Sequence, residues 1–273
     1  MIAVSELPLA SDELNNIAPL TELMPDVDEI DLVAPSGSAL NLSEPRMLLR
    51  YIDASGQRSR DRIGAHDLIH EQVGNRVFQV SAGGFWQVHR EAAAVLSQAV
   101  SQIISRALEA DEFEADAPNL DLYGGVGLLA AAMGDAAGSS KFKVTSVESD
   151  SRATDFAAEN LADWVGARSL TARVDLYLRD LVNEARGSEH TAERIRRATY
   201  VIDPPRSGAG GDVCNSLIEL SPQRIIYVAC DPVALARDLA TLSRGGYQLE
   251  SLEGHDLFPH THHVEAIAVL RRG

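Results

Sequence analysis

The stretch NLDLYGGVGLLAAAMG, residues 119–134, decides the fold. It begins with a short apolar run typical of a buried β-strand and ends with small and apolar residues typical of a buried helix. Between the two lie Gly124, Gly125 and Gly127. Glycines at such a turn let the backbone approach a ligand that rests on the helix N-terminus, as in nucleotide-binding folds. Glycines also form tight turns that bind nothing, so both interpretations stay open at this point.

Segments typical of strands and helices alternate on both sides of this stretch. The predicted strands that matter for the site are KVTSVE (143–148), TARVD (171–175), TYVIDPP (199–205) and RIIYVAC (224–230). A long helix is predicted from about Arg90 to Glu109, and two β segments close the chain. This alternation predicts an α/β fold with a doubly wound, mostly parallel sheet. We place a boundary near residue 90, so that residues 1–89 form a smaller N-terminal segment and residues 90–273 the main domain.

The composition limits the function classes. The chain has 273 residues, 45% hydrophobic and 23% charged, which is typical of a globular protein. It contains no run of about 18 apolar residues, and its N-terminus turns acidic without a basic segment, so neither a membrane span nor a secretory signal is predicted. Two cysteines are too few for a disulfide framework or for a four-cysteine zinc or iron–sulfur site. We therefore expect a reducing, cytoplasmic location.

The formal net charge of −16 argues against a nucleic-acid partner, because phosphate binding needs a basic face. The charge is uneven, however. The first 45 residues contain nine acids and no Lys or Arg. A stretch with few acids and several arginines follows: Arg46, Arg50, Arg58, Arg60, Arg62, Arg76 and Arg90. This stretch is either an ordinary solvated face or a local patch that contacts phosphate groups.

The predicted strands end in residues that can do chemistry. Ligands of open α/β sheets bind beyond the carboxyl ends of the strands. Glu148 ends the strand that follows the glycine turn, 21 residues after Gly127. An acid at that place can bind the ribose hydroxyls of an adenosine-containing cofactor. The pattern does not separate NAD from S-adenosylmethionine.

A carboxylate, a thiol and a second carboxylate follow at later strand ends, in Asp203, Cys230 and Glu265. Cys230 directly precedes Asp231 and a helix start. A helix N-terminus lowers the pKa of a thiol and favours the nucleophilic thiolate, whereas a neighbouring carboxylate disfavours it. The histidines of HDLFPHTHHVE (255–265) lack a companion cysteine and the HExxH pattern, so we expect no metal there.

Four motifs, in this order, resemble the S-adenosylmethionine-dependent RNA 5-methyluridine (uracil-C5) methyltransferase family. They are DLYGGVGLLA (121–130), VIDPPRSG (201–208), YVACDPVALARD (227–238) and DLFPHTHHVEAIAVL (256–270). GGFWQVHREAA (83–93) resembles the segment that precedes the catalytic domain of that family. The resemblance covers residues 75–273. It implies a Rossmann-like class I methyltransferase fold at 90–273 and part of an α+β RNA-recognition domain at 1–89.

The resemblance also implies a cofactor, a partner and residue roles. The cofactor is S-adenosyl-L-methionine, and the partner is RNA, ribosomal rather than transfer RNA, with no membrane and no metal. Cys230 matches the nucleophile that adds to C6 of the uracil, and Glu265 matches the general base. The matches to cofactor contacts are Gln87, Tyr123, Gly125, Gly127, Glu148, Asp175 and Asp203.

The chain departs from the family pattern at a few places, and these keep other hypotheses open. Many relatives carry a separate N-terminal β-barrel, whereas residues 1–80 resemble only the later part of a substrate-recognition domain. Leu128 stands where some relatives have Asn, and Asp231 follows the nucleophile where Asn is more usual. A cofactor-binding module that serves as a partner subunit is therefore the second hypothesis. A cytosine-C5 enzyme would have a cysteine at Arg206, and an NAD dehydrogenase would leave Cys230 and Glu265 without a role.

Overall fold

The computed structural model describes residues 4–25, 27–36, 43–51, 67–258, 261 and 263–273. The chain forms two compact units, Met1–Trp86 and Gln87–Gly273. The division of labour expected from the sequence, RNA recognition by 1–89 and catalysis by 90–273, stays a prediction. Within the described residues, no helix combines the length and the apolar composition that a membrane crossing requires.

The first unit combines one short helix with paired strands. Helix α1 (Asp12–Ile17) precedes two antiparallel pairs, β1 (Val27–Val33) with β2 (Arg46–Tyr51) and β3 (Leu68–Val73) with β4 (Arg76–Ser81). The buried carboxylate of Glu71 in β3 accepts hydrogen bonds from the backbone N (3.0 Å) and the Oγ (2.6 Å) of Ser36. This unit is the smaller α+β segment that the sequence predicts.

The arginine-rich stretch is partly neutralised by acids of the same unit. Arg46 pairs with Asp67 at 3.0 Å, and Arg50 pairs with Glu29 at 2.9 Å. Three further arginines, at positions 58, 60 and 62, lie outside the described residues. The two described pairs favour a solvated face over a phosphate-contacting patch at Arg46 and Arg50.

The second unit is built on a seven-stranded sheet in the order β10-β11-β9-β8-β5-β6-β7. Its strands are β5 (Asn119–Leu122), β6 (Lys143–Glu148), β7 (Gly166–Thr171), β8 (Thr199–Ile202), β9 (Arg224–Ala229), β10 (Tyr247–His255) and β11 (Glu265–Arg272). β5 to β9 are parallel to one another, whereas β11 runs antiparallel between β9 and β10. The doubly wound, mostly parallel sheet is confirmed.

Helices connect these strands and cover the sheet. They are α2 (Ala92–Glu109), α3 (Leu128–Ala137), α4 (Ser151–Asn160), α5 (Val174–Gly187), α6 (Glu189–Ile195), α7 (Gly210–Leu220) and α8 (Pro232–Arg244). α2 packs on α3, and α7 packs on both α5 and α8. Every residue of β5, β8 and β9 is buried. Strands that are covered on both faces read as unbroken apolar runs, which is why these three were visible in the sequence.

The strand order reverses at β5, which pairs with β6 on one side and with β8 on the other. At such a switch point the loops that follow the two neighbouring strands diverge and leave a crevice. The glycine turn that follows β5 therefore lies where open α/β sheets bind their ligands.

The predicted strand over 171–175 is wrong. β7 ends at Thr171, and α5 begins at Val174, so Asp175 lies in the first turn of a helix rather than at a strand end. Val174 is buried because it faces the core from the start of α5. Ala172 and Val174 alternate with polar residues, and over so short a stretch this alternation resembles the pattern of a strand. An acid in a first helical turn is favoured by the helix dipole.

A buried ion pair closes the amino-terminal edge of the sheet, opposite the glycine turn. Arg224 opens β9 and is 2% exposed. Its Nη2 lies 2.9 Å from Oε2 of Glu112, and its Nη1 donates to the Glu112 carbonyl at 3.2 Å. Arg271 of β11 also pairs with Glu112, at 2.6 Å. The segment after α2 is thereby tied to two strands.

We predict that Arg224→Ala lowers the free energy of unfolding by about 3 kcal/mol, because it empties the space of a large buried side chain and removes that side chain's hydrogen bonds to Glu112. Urea unfolding measures the loss. The control is Arg186→Ala, which breaks the exposed pair with Glu219 and is expected to cost less than about 1 kcal/mol. Equal losses in the two variants would contradict a special role for Arg224.

Candidate active site

The glycine turn after β5 is held in one conformation by its neighbours. Tyr123, Gly125 and Gly127 all have positive φ, at 63°, 53° and 89°. A Cβ on Gly124 would lie 2.0 Å from Oγ of Ser146, so a glycine is required there. A Cβ on Gly125 would meet nothing within 4 Å, so the space above that residue is open. The turn therefore leaves bare backbone accessible at Gly125, and the binding of a ligand there stays a prediction.

Glu148 lies at the end of β6 and bridges two loops. Its Oε2 accepts from the backbone N of Gly125 at 3.2 Å, and its Oε1 accepts from the backbone N of Asp150 at 2.9 Å and from Oγ of Ser149 at 3.0 Å. The side chain is half-buried. These bonds hold the carboxylate directly beside the glycine turn, where the sequence predicted it.

Asp175 reaches the same end of the sheet from α5. Its two carboxylate oxygens pair with Nε and Nη2 of Arg173, at 3.0 and 2.7 Å. Hydrogen bonding from Arg173 lowers the pKa of Asp175. Burial, and secondarily the charge of Asp175, raises the pKa of Tyr123 to about 12. Tyr123 and Asp175 therefore lie within electrostatic reach of each other, although the element that carries Asp175 differs from the prediction.

Asp203, Cys230 and Glu265 meet at the carboxyl edge of the sheet. The backbone N of Asp203 donates to the Leu122 carbonyl at 3.2 Å, which ties the end of β8 to the end of β5. β11 pairs with β9 so that Ala266 faces Ala229. One step further in the same register, Glu265 lies opposite Cys230.

Both carboxyl groups have raised pKa values. Burial, and then the charges of Glu265 and Asp121, raise the pKa of Asp203 to about 8. Burial raises the pKa of Glu265 to about 7. Each group thus exchanges its proton near neutral pH, the range in which a general acid or base is most effective.

The thiol of Cys230 does not have the lowered pKa that its place before a helix predicts. Burial raises its pKa, the charges of Glu265 and Asp203 raise it further, and the charge of Arg206 lowers it. The reason lies in the helix start: Asp231 is the N-cap of α8, and its side chain accepts from the backbone N of Ala234 at 2.7 Å. The helix N-terminus is thus satisfied by Asp231 rather than directed at the thiol. The carboxylates that disfavour the thiolate are Glu265 and Asp203, not Asp231.

A shallow cleft lies beside Cys230, and in this structure it has no room for a water molecule. Its lining residues are Pro204, Pro205, Arg206, Gly208, Tyr227, Ala229, Cys230, Asp231, Ala234 and Leu235. The two prolines present no backbone N–H to the cleft. The thiol therefore faces a surface that is largely apolar, with Arg206 as a cation on its wall.

The sequence analysis did not single out Asp121. This residue of β5 is fully buried beneath Gly124, and its Oδ2 accepts from the backbone N of Ala130 at 3.1 Å. Burial is the main cause that raises its pKa to about 7. The signal was an acid inside the otherwise apolar run NLDLY. Asp121 contributes to the raised pKa of Asp203 and thus belongs electrostatically to the site.

The remaining candidates are less closely tied to this edge. Gln87 is half-buried in the segment before α2, and its contact with a cofactor stays a prediction. Phe85 is 73% exposed, whereas Trp86 packs on Phe78 with ring centroids 5.8 Å apart. Leu128 is buried in the first turn of α3.

Among the described residues, no group of three or more His, Cys, Asp and Glu side chains is arranged to hold a metal ion. Two histidines of the HDLFPHTHHVE segment, at positions 260 and 262, lie outside those residues. His263 forms a tilted ring contact with Phe258, with centroids 6.2 Å apart.

The chain is similar to known RNA methyltransferases. A family model described as tRNA (Uracil-5-)-methyltransferase matches residues 97–273. An uncharacterized RNA methyltransferase of Streptomyces avermitilis is 38% identical over 233 residues, which are 85% of this chain and 48% of that protein. Another, from Bifidobacterium longum, is 31% identical across 99% of this chain and 61% of its own length. The chain spans about half the length of the curated relatives it matches.

A solved structure supports the fold. The tRNA (uracil-54, C5)-methyltransferase of Pyrococcus abyssi, in complex with S-adenosyl-L-homocysteine, has a TM-score of 0.55 and 25% identity to this chain. The match covers 80% of this chain and 47% of that protein. The Rossmann-like class I methyltransferase fold expected from the sequence is confirmed.

We predict a pH-dependent effect of Glu265→Gln on stability. The pKa of Glu265 is about 7 in the folded chain against an ordinary 4.5, so wild type loses stability as the pH rises from about 4.5 to 7. The variant lacks this titration. It should therefore be stabilised relative to wild type between pH 5 and 8, by on the order of 1 kcal/mol.

Urea unfolding at several pH values measures this difference. Glu159→Gln, which removes an exposed carboxylate of α4, controls for the loss of one charge. If wild type and Glu265→Gln have parallel stability curves, Glu265 does not titrate near neutral pH.

Proposed function

Because the chain belongs to the tRNA (uracil-5-)-methyltransferase family, we propose that it transfers a methyl group from S-adenosyl-L-methionine to C5 of a uridine in RNA. The observation that carries the proposal is the approach of two residues from different strands. Cys230 follows β9, and Glu265 begins the antiparallel β11 opposite it. A nucleophile and a base held at the same edge by neighbouring strands are placed to act on neighbouring carbons of one pyrimidine ring.

The glycine turn supports a cofactor site at the same edge. The open space above Gly125 and the carboxylate of Glu148 beside it fit the methionine and ribose parts of S-adenosyl-L-methionine. Asp203 lies within electrostatic reach of Cys230. The proposed cofactor contacts are Gln87, Tyr123, Gly125, Gly127, Glu148, Asp175 and Asp203.

The chemistry explains why a thiol and a carboxylate are both needed. C5 of uracil is a weak nucleophile, and the thiolate of Cys230 activates it by forming a C–S bond to C6. S-adenosyl-L-methionine, when bound, would supply an electrophilic methyl carbon to C5 and leave as S-adenosyl-L-homocysteine. Glu265 accepts the proton that C5 still carries, and the C6–S bond breaks to release the thiolate. The C6–S bond that Cys230 forms is thus broken again, and the proton from C5 is held by Glu265.

The charge of Arg206 affects the ionisation of the Cys230 thiol. Burial, Glu265 and Asp203 raise the pKa of Cys230, and the charge of Arg206 opposes them. The guanidinium therefore increases the thiolate fraction. It also puts a cation on the wall of a cleft that must admit an unstacked nucleotide.

Two lines of argument point to different classes of RNA substrate. The resemblance favours ribosomal RNA, whereas the matching family model and the Pyrococcus abyssi enzyme are named for transfer RNA. We keep ribosomal RNA as the prediction and test both. Mapping 5-methyluridine in the two RNA pools, from cells with and without the gene, decides between them.

We predict that Cys230→Ala abolishes methyl transfer and leaves the affinity for S-adenosyl-L-methionine nearly unchanged, because the thiol acts on RNA. Methyl transfer is measured as the label that passes from radioactive cofactor to unmodified ribosomal or transfer RNA. Calorimetric titration measures the affinity for the cofactor. Cys214→Ala is the matched control, since Cys214 is buried in α7 and is the only other cysteine of the chain. Cofactor binding by wild type without any transfer would instead support a cofactor-binding partner subunit.

We predict that Glu265→Gln lets the covalent RNA adduct form and persist, because the C5 proton can no longer be removed. A slowly migrating protein–RNA band on a denaturing gel reports the adduct. The double variant Cys230→Ala, Glu265→Gln must lack the band. Normal turnover of Glu265→Gln would show that another group is the base.

A further inference from the structure

The buried carboxylate of Asp238 has no part in the chemistry proposed above. Asp238 lies in α8 and is 2% exposed. Its Oδ2 accepts from Oη of Tyr227 at 2.7 Å, from the backbone N of Ala209 at 2.8 Å and from that of Gly210 at 3.3 Å. Its Oδ1 accepts from Nε of Arg237 at 3.1 Å. Four donors thus surround one buried charge.

Three of these donors lie outside α8: Tyr227 in β9, and Ala209 and Gly210 at the end of the loop segment of residues 205–210, where α7 begins. The fourth, Arg237, precedes Asp238 in α8. Arg237 also donates from Nη2 to the Ser207 carbonyl at 2.6 Å. Within the loop, the backbone N of Gly208 donates to the Pro205 carbonyl at 2.7 Å. Gly208 has a φ of +80°, and a Cβ there would lie 2.5 Å from both Nη2 of Arg237 and Oδ2 of Asp238. The loop is therefore fastened to α8 by two side chains.

The same loop forms a wall of the Cys230 cleft. Pro205, Arg206 and Gly208 line the cleft, and Tyr227 lines it from β9. Arg206 lies at the turn that the bond from Gly208 to Pro205 closes. When this turn is held in place, the positions that the Arg206 guanidinium can reach are limited.

We propose that Asp238, together with Arg237, is a positioning residue of the active site, which holds the 205–210 loop so that the Arg206 guanidinium stays beside the Cys230 thiol. The inference rests on the proposed role of Cys230 and deepens it. It assigns to α8 the task of placing the cation on which the reactivity of the thiol depends.

The direction of the effect separates positioning from a direct charge effect. The charged groups that act on Cys230 are Glu265 of β11, Asp203 after β8 and Arg206 of the loop. Those around Asp238 include Arg237, Tyr227, Tyr123 and Cys214. Loss of the negative charge of Asp238 would by itself favour the thiolate. Displacement of Arg206 from the thiol would disfavour it.

The experiment measures the alkylation of Cys230 by iodoacetamide as a function of pH, followed on the Cys230 peptide by mass spectrometry. It needs neither RNA nor cofactor. The variants are Asp238→Asn, Arg237→Gln, Arg206→Gln and the double variant Asp238→Asn, Arg206→Gln. Asp212→Asn, on the exposed face of α7, is the matched control for the loss of one carboxylate.

We expect Asp238→Asn, Arg237→Gln and Arg206→Gln each to slow alkylation near neutral pH by about threefold and to shift the alkylation profile to higher pH. Asp238→Asn should add nothing when Arg206 is already replaced, since both changes remove the same interaction. Asp212→Asn should leave the profile unchanged. If Asp238→Asn does not fold, Arg237→Gln decides alone, because the Arg237 side chain is 57% exposed.

Two results would overturn the inference. One is an unchanged or faster alkylation in Asp238→Asn and Arg237→Gln. The other is an equal further slowing by Asp238→Asn in the Arg206→Gln background. Absence of methyl transfer in wild type would refute the proposed function instead, and the alkylation series distinguishes the two failures because it reports the thiol alone.

Discussion

The site depends on the antiparallel pairing of β11 with β9. Parallel strands bring only their carboxyl ends to the ligand edge of a sheet. Because β11 runs in the opposite direction, its first residue reaches that edge, and Glu265 lies opposite Cys230. The hydrogen bond between the ends of β5 and β8 then brings Asp203 to the same place. One reversed strand thus brings the proposed base, from the last segment of the chain, to the proposed nucleophile that follows a parallel strand.

The number of donors around each acid explains the ionisation states at this edge. Asp203 and Asp238 are both shielded from water, yet the pKa of Asp203 is raised and that of Asp238 is lowered. Burial raises both, but Tyr227, Arg237 and two backbone N–H groups hydrogen-bond to Asp238 and reverse the effect. Asp203 instead faces the carboxyl group of Glu265. Asp238 is thus kept charged and holds a loop, whereas Asp203 and Glu265 exchange protons near neutral pH.

Sequence analysis predicted the sheet, the glycine turn and the residues that meet at its edge, because buried strands and their ends leave a strong local pattern. It failed where the outcome depends on neighbours distant in sequence. Asp175 was placed on a strand, since five alternating residues do not distinguish a strand end from a helix start. The pKa of Cys230 was expected to fall, since the capping bond of Asp231 and the register that brings Glu265 near are not visible in a single segment. Asp238 went unnoticed because its partners come from two other elements.

The raised pKa values at this edge also bear on how a chain with a large net negative charge could bind the proposed RNA substrate. The net charge of −16 counts every carboxyl group as ionised. At the cleft that assumption fails, because Asp203 and Glu265 have pKa values of about 8 and 7 and carry protons in a large fraction of molecules at neutral pH. The wall beside them presents Arg206, whose place is set by a loop fastened to α8. Protonation of these two groups makes the proposed uridine site less negative than their formal charges indicate, whereas their full ionisation would repel RNA and disfavour the thiolate.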